Sequence, residues 1–477
     1  MTDLSVWIDR HAARTPDRPA IVFEGTRSSY RDFAARIAFL AGVLAARGIA
    51  AGDRVALLAT NHPDYLALLF ACARLGAMLV PLNWRLAPTE HGQILADAEP
   101  KLAIGERAFA ASLANRATVW LDELDAQESA EAVPAGTPES PVLLVYTSGT
   151  TGRAKGAVLT QNALAWNAVN SQHMHDMTAG DRVLTFLPMF HVGGLNIQTV
   201  PALALGAEVV LMRRFEPGEA LAAIAASRPT LSLVVPAVMS AMIAHPDWAS
   251  TDLSSLRMVG AGSSIVPVKL IRAFHARGVP VAQVYGATET GPIAIYQKRD
   301  DALVNEGSTG QPALHCEATL DQGEILIRGP NVAKGYWRDP AATRESFADG
   351  WFRTGDLGHV DANGHWWVDE RKKDMIISGG ENIYPAEIEA ALGAHADVMD
   401  CAVVAMPDEK WGEVPVAFVV GRAGTDIDGE ALRAFLDGRL ARFKWPKAFR
   451  FVDALPRNAM GKVQRFALRA QARERRE

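Results

Sequence analysis

Alternating strand-like and helix-like segments in the first hundred residues are the feature that most limits the folds available to this chain. Ser29 is a suitable N-cap for a helix with apolar residues at helical spacing, and Gly48 supplies its end. Strand-like residues 54–58, helix-like residues 63–76 and strand-like residues 78–81 follow in that order. Strand, helix and strand at this spacing predict a parallel α/β layer arrangement.

The same rhythm recurs between residues 160 and 294 and gives way to short strands after about Gly310. A charged run at 369–374 then precedes a segment with the pattern of a small α+β domain. This pattern predicts, in order, a helix, two strands and a second helix, at 385–392, 402–406, 414–420 and 429–441. We therefore expect a boundary near residues 371–373, between an N-terminal domain of residues 1–370 and a C-terminal domain of residues 371–477.

The composition argues against several classes of function. The 477 residues include 48 Lys and Arg against 54 Asp and Glu, a net charge of −6, whereas nucleic-acid binding needs a basic surface. The cysteines are far apart in sequence, which disfavours a thiolate zinc site or a disulfide framework. The sequence shows neither a signal peptide nor an apolar run of membrane-spanning length, so we expect a cytoplasmic protein with no stable membrane insertion.

The densest cluster of chemically useful residues follows the apolar strand at 142–145. Its glycines permit tight turns and close ligand approach, its hydroxyls and backbone amides can surround phosphate oxygens, and its lysine adds a positive charge. The lysine is followed by glycine and not by Ser or Thr, so this is not the P-loop pattern. A flexible polar loop is the alternative, but phosphate binding explains these residues better: Thr147, Ser148, Gly149, Thr150, Thr151, Gly152 and Lys155.

This segment resembles the phosphate-loop signature of the adenylate-forming superfamily, which includes the acyl- and aryl-CoA synthetases. Further motifs of that superfamily follow in the expected order: a histidine motif at 187–194, Tyr-Gly-Ala-Thr-Glu at 285–289, segments at 323–336 and 351–356, a hinge region at 371–384 and a lysine motif at 456–462. The sequences of residues 61–63 and 81–86 are most similar to those of bacterial feruloyl-CoA and fatty-acid-CoA ligases. The resemblance therefore covers essentially the whole chain.

The resemblance implies an α/β fold with a large N-terminal domain of stacked mixed sheets, flanking helices and a small β subdomain, followed by a small mobile α+β C-terminal domain. It also implies a two-step reaction that uses ATP, Mg²⁺ and coenzyme A. A carboxylate attacks the α-phosphorus of ATP to give an acyl-adenylate and pyrophosphate; a thiol then attacks the acyl carbonyl, and AMP leaves. Because the first step brings an anion to a polyanion, charge neutralisation should dominate its catalysis.

The resemblance also implies roles for individual residues. Lys462 would lie between the α-phosphate and the carboxylate, and Thr288 would hydrogen-bond the α-phosphate. Glu289 would be the Mg²⁺ ligand, His191 would border the carboxylate pocket, and Lys373 would be the hinge residue. The remaining nucleotide contacts would come from an adenine-lining segment, an aromatic face for adenine, a ribose-binding carboxylate and an arginine: Ser263, Ser264, Tyr285, Gly286, Asp356 and Arg371.

The acid pocket implied by the resemblance lies around His191 and contains no Arg or Lys. Its other residues are Val192, Gly193, Asn196, Gly262, Val284 and Ile293. Malonate-specific relatives carry an arginine at the place of Val284. A second carboxylate would be buried here without a partner, so we expect a monocarboxylic acid with an apolar or aromatic tail.

The path of the pantetheine arm would be lined by Ser378, Gly379, Gly380 and Trp411. A simple turn is the alternative for the glycines, and a structural role is the alternative for the tryptophan. No carrier domain follows Lys462, so the expected acceptor is free coenzyme A or a separate carrier protein. The sequence leaves open an aromatic or a fatty acid substrate, a catalytically inactive binding protein of the same fold, and a homodimer.

Overall fold

The protein is described by a computed structural model that covers residues 3–114, 116–147, 154–263, 266–371, 375–422, 424–425, 427–456, 463 and 465–474. The chain divides into two compact units. Unit 1 comprises Met1–Trp84, Leu95–Tyr146 and Gly156–Glu370, and unit 2 comprises Arg85–Ile94, Thr147–Lys155 and Arg371–Glu477. The assignment of residues 1–370 and 371–477 as the two functional domains stays a prediction.

The helices of the described residues, in chain order, are α1 (Ser5–Arg14), α2 (Tyr30–Ala46), α3 (Pro63–Leu75), α4 (Pro88–Ala98), α5 (Gln161–His175), α6 (Val192–Asn196), α7 (Thr199–Leu205), α8 (Pro217–Ser227), α9 (Pro236–Ala244), α10 (Val268–His275), α11 (Arg299–Val304), α12 (Pro340–Ser346), α13 (Pro385–Gly393), α14 (Gly429–Leu436) and α15 (Arg465–Glu474). Short 3₁₀ helices lie at Arg107–Leu113, Leu121–Ala126, Pro246–Trp248, Thr288–Thr290 and Arg442–Lys444.

The strands are β1 (Pro19–Phe23), β2 (Thr26–Ser29), β3 (Arg54–Leu58), β4 (Met78–Pro81), β5 (Leu102–Gly105), β6 (Thr118–Trp120), β7 (Pro141–Thr147), β8 (Lys155–Thr160), β9 (Arg182–Thr185), β10 (Glu208–Leu211), β11 (Leu231–Val234), β12 (Met258–Ala261), β13 (Val281–Tyr285), β14 (Ile295–Tyr296), β15 (Gln311–Pro312), β16 (Glu317–Asp321), β17 (Glu324–Arg328), β18 (Phe347–Ala348), β19 (Trp351–Val360), β20 (Trp366–Arg371), β21 (Ile376–Ser378), β22 (Glu381–Ile383), β23 (Val398–Asp408), β24 (Gly412–Gly421) and β25 (Ala448–Phe451).

Unit 1 is built on three sheets. A nine-stranded sheet has the order β15-β14-β13-β12-β11-β9-β10-β1-β2, and its central strands β1, β10, β9, β11, β12 and β13 are parallel. A six-stranded sheet has the order β6-β5-β3-β4-β7-β8, and the sheet β16-β17-β19-β18 carries β20 beside β19. One apolar core joins the two larger sheets, which confirms the predicted α/β class with stacked sheets.

Local sequence signals account for two helices of this core. At the start of α2, Ser29 and Asp32 form a reciprocal capping box, which satisfies backbone donors that a helix start leaves unpaired. Helix α3 begins at Pro63, whose missing N–H costs nothing in a first turn, and ends against Gly76 in the left-handed conformation. Both helices were predicted at these positions from the sequence.

Unit 2 has an alternating burial pattern along its central hairpin. Its sheet has the order β22-β21-β24-β23, with β25 beside β24. Val403 packs on one face with residues of α13 and α14, and its neighbour Val404 packs on the other face with residues of α15, as the period of two in a strand requires. The helix predicted at 429–441 was too long, because Asp437 is extended and Gly438 has a φ of 72°.

A buried charged cluster lies within unit 2, between Glu90 of α4, Glu387 of α13 and Lys444. The Lys444 ammonium is 4% exposed and contacts a carboxylate oxygen of Glu90 and, at 2.7 Å, Oε1 of Glu387. Glu90 also accepts the backbone N–H groups of Ala87 and Ala441. Burial raises the pKa of Glu387 to about 7, and the adjacent Glu90 adds to that rise, whereas the Lys444 charge opposes it.

Within the described ranges, no helix is both long and apolar enough to cross a membrane.

Candidate active site

The parallel strands β12 and β13 bring two of the predicted motifs to one edge of the nine-stranded sheet. Ala261 is paired with Gln283, so Gly262 and Ser263 leave the sheet beside Val284 and Tyr285. A Cβ on Gly262 would lie 2.6 Å from the Val284 carbonyl oxygen, so the two chains can approach this closely only with glycine at that position. Ser263 has a φ of 69°, a left-handed conformation that non-glycine residues seldom adopt outside special sites.

The predicted adenine and ribose residues are joined directly, although 70 residues separate them in sequence. The Tyr285 hydroxyl donates to Oδ2 of Asp356 at 2.9 Å. Asp356 is held in place by its own N–H, which donates to the Thr354 hydroxyl, and the N–H of Gly355 donates to the buried Glu324. The nucleotide-binding expectation thus falls on residues that form one hydrogen-bonded group at the end of β13.

Thr288 and Glu289 lie in a short 3₁₀ helix that follows Tyr285 and Gly286 and are both buried. A Cβ on Gly286 would lie 1.8 Å from the Pro292 carbonyl oxygen, so this turn requires glycine. The Glu289 backbone carbonyl accepts the N–H of Ala333, and its carboxylate accepts the Tyr336 hydroxyl at 2.8 Å. The Glu289 carboxylate is therefore held in one orientation.

His191 is the N-cap of α6, and its Nδ1 accepts the N–H of Gly193 at 3.0 Å. In the neutral ring this leaves the proton on Nε2. The segment before it is fixed by Asn61, whose amide donates to the carbonyls of Leu187 and Met212 and accepts the N–H of Met189. The imidazole is thus presented by a loop with little freedom to shift.

Apart from the half-buried His191, the predicted acid-pocket residues are buried, and a second asparagine connects several of them. Asn167 donates to the Asn196 carbonyl at 2.7 Å and accepts the N–H of Ile293 at 3.0 Å. Asn196 in turn donates to the Gly291 carbonyl at 3.2 Å. A Cβ on Gly193 would lie 3.8 Å from the Ser263 hydroxyl, so the histidine motif also lies against the loop after β12. The other members of the predicted pocket, Val192, Gly262 and Val284, are buried as well.

The phosphate-loop residues at the two ends of the predicted segment are described, and the central ones are not. Thr147 ends β7 and Lys155 begins β8, and the Thr147 hydroxyl lies 3.4 Å from the Lys155 carbonyl oxygen. Several predicted site residues lie outside the described residues: Ser148, Gly149, Thr150, Thr151, Gly152, Ser264, Lys373 and Lys462. The Arg371 side chain is also outside the described part, although its backbone ends β20.

The predicted coenzyme A residues lie together in unit 2. Gly379 and Gly380 connect β21 to β22 with φ values of 59° and 86°, the combination that a two-residue type I′ hairpin requires. The N–H of Gly379 donates to the Trp411 carbonyl, and a Cβ on Gly379 would lie 2.7 Å from the Trp411 ring. The glycines therefore have a structural reason of their own, beside any role toward a ligand.

Among the described residues, no three His, Cys, Asp or Glu side chains lie together so that they could hold a metal ion by themselves. Mg²⁺ in phosphate-handling sites is usually held by one or two carboxylates, the substrate phosphates and water. The buried and oriented carboxylate of Glu289 fits that pattern of binding.

Sequence reasoning missed the residues that hold the motifs in place. Asn331 donates to the carbonyls of Thr290 and Ile293, and so fixes the turn after Glu289. Tyr336 orients Glu289, and Asn61 orients the segment before His191. Asn61 and Tyr336 lay inside segments noted for their family resemblance, which was the available signal; Asn331 lay in such a segment too, but an isolated asparagine gives no sign of its distant partners.

The chain is similar to known proteins over nearly its whole length. The family described as AMP-binding enzyme matches residues 8–337, and its C-terminal domain matches residues 387–462. The indoleacetate–CoA ligase of Aromatoleum aromaticum is 50% identical over 97% of each chain, and the feruloyl-CoA synthase of an Amycolatopsis species is 42% identical over 96% of this chain and 97% of its own. A solved o-succinylbenzoate CoA synthetase double mutant from Bacillus subtilis has a TM-score of 0.91 at 32% identity and 98% coverage of both chains.

The similarity extends along nearly the full length of each of these proteins, so it covers both units. The chain is therefore a member of the AMP-binding enzyme family and an AMP-forming acid–thiol ligase that uses ATP and coenzyme A.

Proposed function

We propose that the chain activates a monocarboxylic aromatic acid and transfers its acyl group to coenzyme A. The observation that carries the proposal is the chemistry of the pocket walls. Apart from the half-buried His191, the residues predicted to line it are buried, and they include neither arginine nor lysine. Relatives at 50% and 42% identity are named for indoleacetate and ferulate, both of which combine one carboxylate with a planar ring.

The packing at Val284 supports an uncharged tail. The Val284 side chain is buried against Gly262, where a Cβ would lie 3.0 Å from a Val284 methyl group. A second carboxylate in this place would lose its hydration without gaining a cation, a cost of several kcal/mol for each buried ion. A dicarboxylic acid is therefore disfavoured. A flexible fatty acid is the alternative and is tested below.

The catalytic roles are proposed for residues of the motifs that resemble those of the superfamily. The Thr288 hydroxyl and the Lys462 ammonium stabilise the negative charge that builds up on the α-phosphate as the carboxylate attacks. The Asp356 carboxylate accepts from the ribose hydroxyls, oriented by its hydrogen bond from Tyr285, whose ring offers a face to adenine. The His191 ring borders the reacting carboxylate.

Mg²⁺ fits the site through Glu289 and would neutralise charge on the ATP phosphates. The Tyr336 hydroxyl holds one Glu289 oxygen, which keeps the carboxylate from rotating away. Ser378, Gly379, Gly380 and Trp411 are proposed to line the pantetheine path in the second step, and Lys373 is proposed as the hinge. A cytoplasmic location and a homodimer remain predictions.

The proposal is tested by carboxylate-dependent pyrophosphate release with a panel of acids. The panel contains indole-3-acetate, phenylacetate, ferulate, malonate and saturated acids of four to eighteen carbons, each with and without coenzyme A. We expect the aromatic monoacids to give the highest kcat/KM and malonate to give none. A fatty acid with the highest kcat/KM would contradict the proposal. If none of the acids increases pyrophosphate release, a binding protein would be favoured.

The matched control for the chemistry is Lys462→Ala. Loss of one charge-stabilising group at a reacting centre typically costs about 100- to 1000-fold. We expect that loss in ATP–pyrophosphate exchange, and near-normal CoA transfer from supplied acyl-adenylate. Equal losses in both half-reactions would contradict the role proposed for Lys462.

A further inference from the structure

A small cavity lies behind the histidine motif in unit 1. Gly193 and Gly194 form one side of it, and Gln198, Thr199 and Leu233 form part of the rest. It has room for about one water molecule. Gly193 also lies against the His191 ring, because a Cβ on Gly193 would be 3.1 Å from Nδ1 of His191. The cavity therefore borders the wall of the acid pocket.

Gln198 lines this cavity and has an amide orientation that its neighbours determine. Nδ1 of His175 lies 2.8 Å from the Ser171 carbonyl and must therefore carry the proton, which leaves Nε2 of His175 as an acceptor. Burial lowers the pKa of His175 to about 4, so the ring is neutral. The Gln198 NH₂ group donates to that Nε2 and to the Ser232 carbonyl, each at 3.0 Å.

This arrangement leaves the side-chain carbonyl oxygen of Gln198 without a hydrogen-bond donor among the described residues. Gln198 is 2% exposed, and its Oε1 has no hydrogen-bond partner within the described part of the chain. The two threonines on the cavity wall do not serve it: Thr185 and Thr199 hydrogen-bond each other, and Thr199 also donates to the Gly194 carbonyl. A buried carbonyl without a donor costs about 1–3 kcal/mol, which a hydrogen bond from a bound donor would recover.

A neighbouring glycine makes room for the amide. A Cβ on Gly260 of β12 would lie 3.4 Å from both Nε2 of Gln198 and Nε2 of His175. Oδ1 of Asn196, two residues before Gln198, is likewise buried without a described partner. Two buried acceptors on the same short segment are therefore without donors among the described residues.

We propose that Gln198 is a specificity-determining residue, whose Oε1 accepts a hydrogen bond from an N–H or O–H group on the ring of the aromatic acid. The proposal rests on the proposed function, because it names the subclass of aromatic acid that the same pocket prefers. An acid that lacks the ring donor leaves the Gln198 carbonyl unpaired. A site built to pair with a donor rejects an analogue without one much more strongly than it rejects a change of a single methylene.

The first arm of the test uses the unaltered enzyme and two nearly isosteric pairs of acids. Indole-3-acetate is compared with benzothiophene-3-acetate, and 4-hydroxyphenylacetate with phenylacetate. We expect kcat/KM to favour the donor-bearing acid about 10- to 100-fold in at least one pair. The pair that shows this preference identifies the ring donor as an indole N–H or a phenol O–H. Ratios below about threefold in both pairs would overturn the proposal.

The second arm uses Gln198→Met, which keeps the side-chain length and removes the acceptor. We expect the preference in the responsive pair to fall to within about threefold, through a loss of activity on the donor-bearing acid. Equal losses on both acids of that pair would show a purely structural role and would overturn the proposal. The first arm decides the matter alone if this variant does not fold.

Gln161→Met is the matched control. Gln161 is another fully buried amide of unit 1, and it bonds the backbone of Leu4 and Ala73, away from the acid pocket. This variant should lose stability and keep the wild-type preference within each pair. If no aromatic acid of the panel releases pyrophosphate, the proposed function fails and this inference fails with it; turnover without preference defeats the inference alone.

Discussion

The proton affinity of Glu387 predicts that the local stability of unit 2 falls as the pH rises. Its folded-state pKa of about 7 is above the ordinary value of 4.5, so the folded protein holds a proton that the unfolded chain has released between those values. The stabilisation is complete below pH 4.5 and is lost as the pH rises through about 7. The difference between these two pKa values corresponds to roughly 3 kcal/mol.

The substitution Glu387→Gln keeps the shape of the protonated side chain and removes the ionisation. We expect the opening free energy of α13 in the wild type to fall relative to this variant by roughly 2–3 kcal/mol between pH 4.5 and pH 8. Hydrogen exchange measured on peptides that cover α13 is the assay. Taking the difference between the two proteins at each pH removes the pH dependence of chemical exchange.

Lys444→Met supplies the opposite perturbation. It leaves the carboxylates of Glu90 and Glu387 buried beside each other without the ammonium, which should cost about 3–5 kcal/mol at pH 8 and less in acid. Peptides from β11 and β12 in unit 1 should show no change in either variant. If the wild type and Glu387→Gln have parallel pH profiles, Glu387 does not bind the proton and the reasoning fails.

Two further predictions concern the pocket in unit 1. Gly286→Ala would place a Cβ 1.8 Å from the Pro292 carbonyl oxygen, so we expect pyrophosphate release to drop at least ~100-fold. The control Gly92→Ala, whose Cβ would meet nothing within 4 Å, should leave pyrophosphate release unchanged. Normal release in Gly286→Ala would be incompatible with the turn described here. Val284→Arg should lower kcat/KM for the preferred monoacid at least ~10-fold by burying an unpaired cation, and should shift the ratio of kcat/KM values toward malonate. An unchanged ratio would show that Val284 does not line the acid pocket.

The parts of the fold that depend on neighbouring residues could be read from the sequence. Helix α3 was predicted because a proline and a glycine bound it, and α2 was predicted because Ser29 caps it and its apolar residues recur at helical spacing. The pairing of Asn167 with Ile293 could not be predicted, because 126 residues separate them and an asparagine amide can bond almost any backbone group. The same limit hid the unpaired carbonyl of Gln198, which is revealed only once every nearby donor has been located.

The division of the chain was only partly visible for a related reason. Residues 85–94 belong to unit 2, although they follow directly from a strand of unit 1. Glu90 explains this, because its carboxylate is buried with the Lys444 ammonium. No periodicity in a stretch of ten residues indicates a partner about 350 residues further along the chain.

The position of β1 in the nine-stranded sheet has a consequence for synthesis on the ribosome. Its partner β10 pairs Phe23 with Leu211, so about 190 residues must be made before β1 can close its inner edge. At roughly 5–20 residues per second, the apolar strand waits about 10–40 s with only the hairpin partner β2 beside it. An open apolar strand is a template for pairing between chains. Nascent chains halted before β10 has left the ribosome should therefore be the ones that aggregate or engage chaperones, and those halted after β10 is exposed should not.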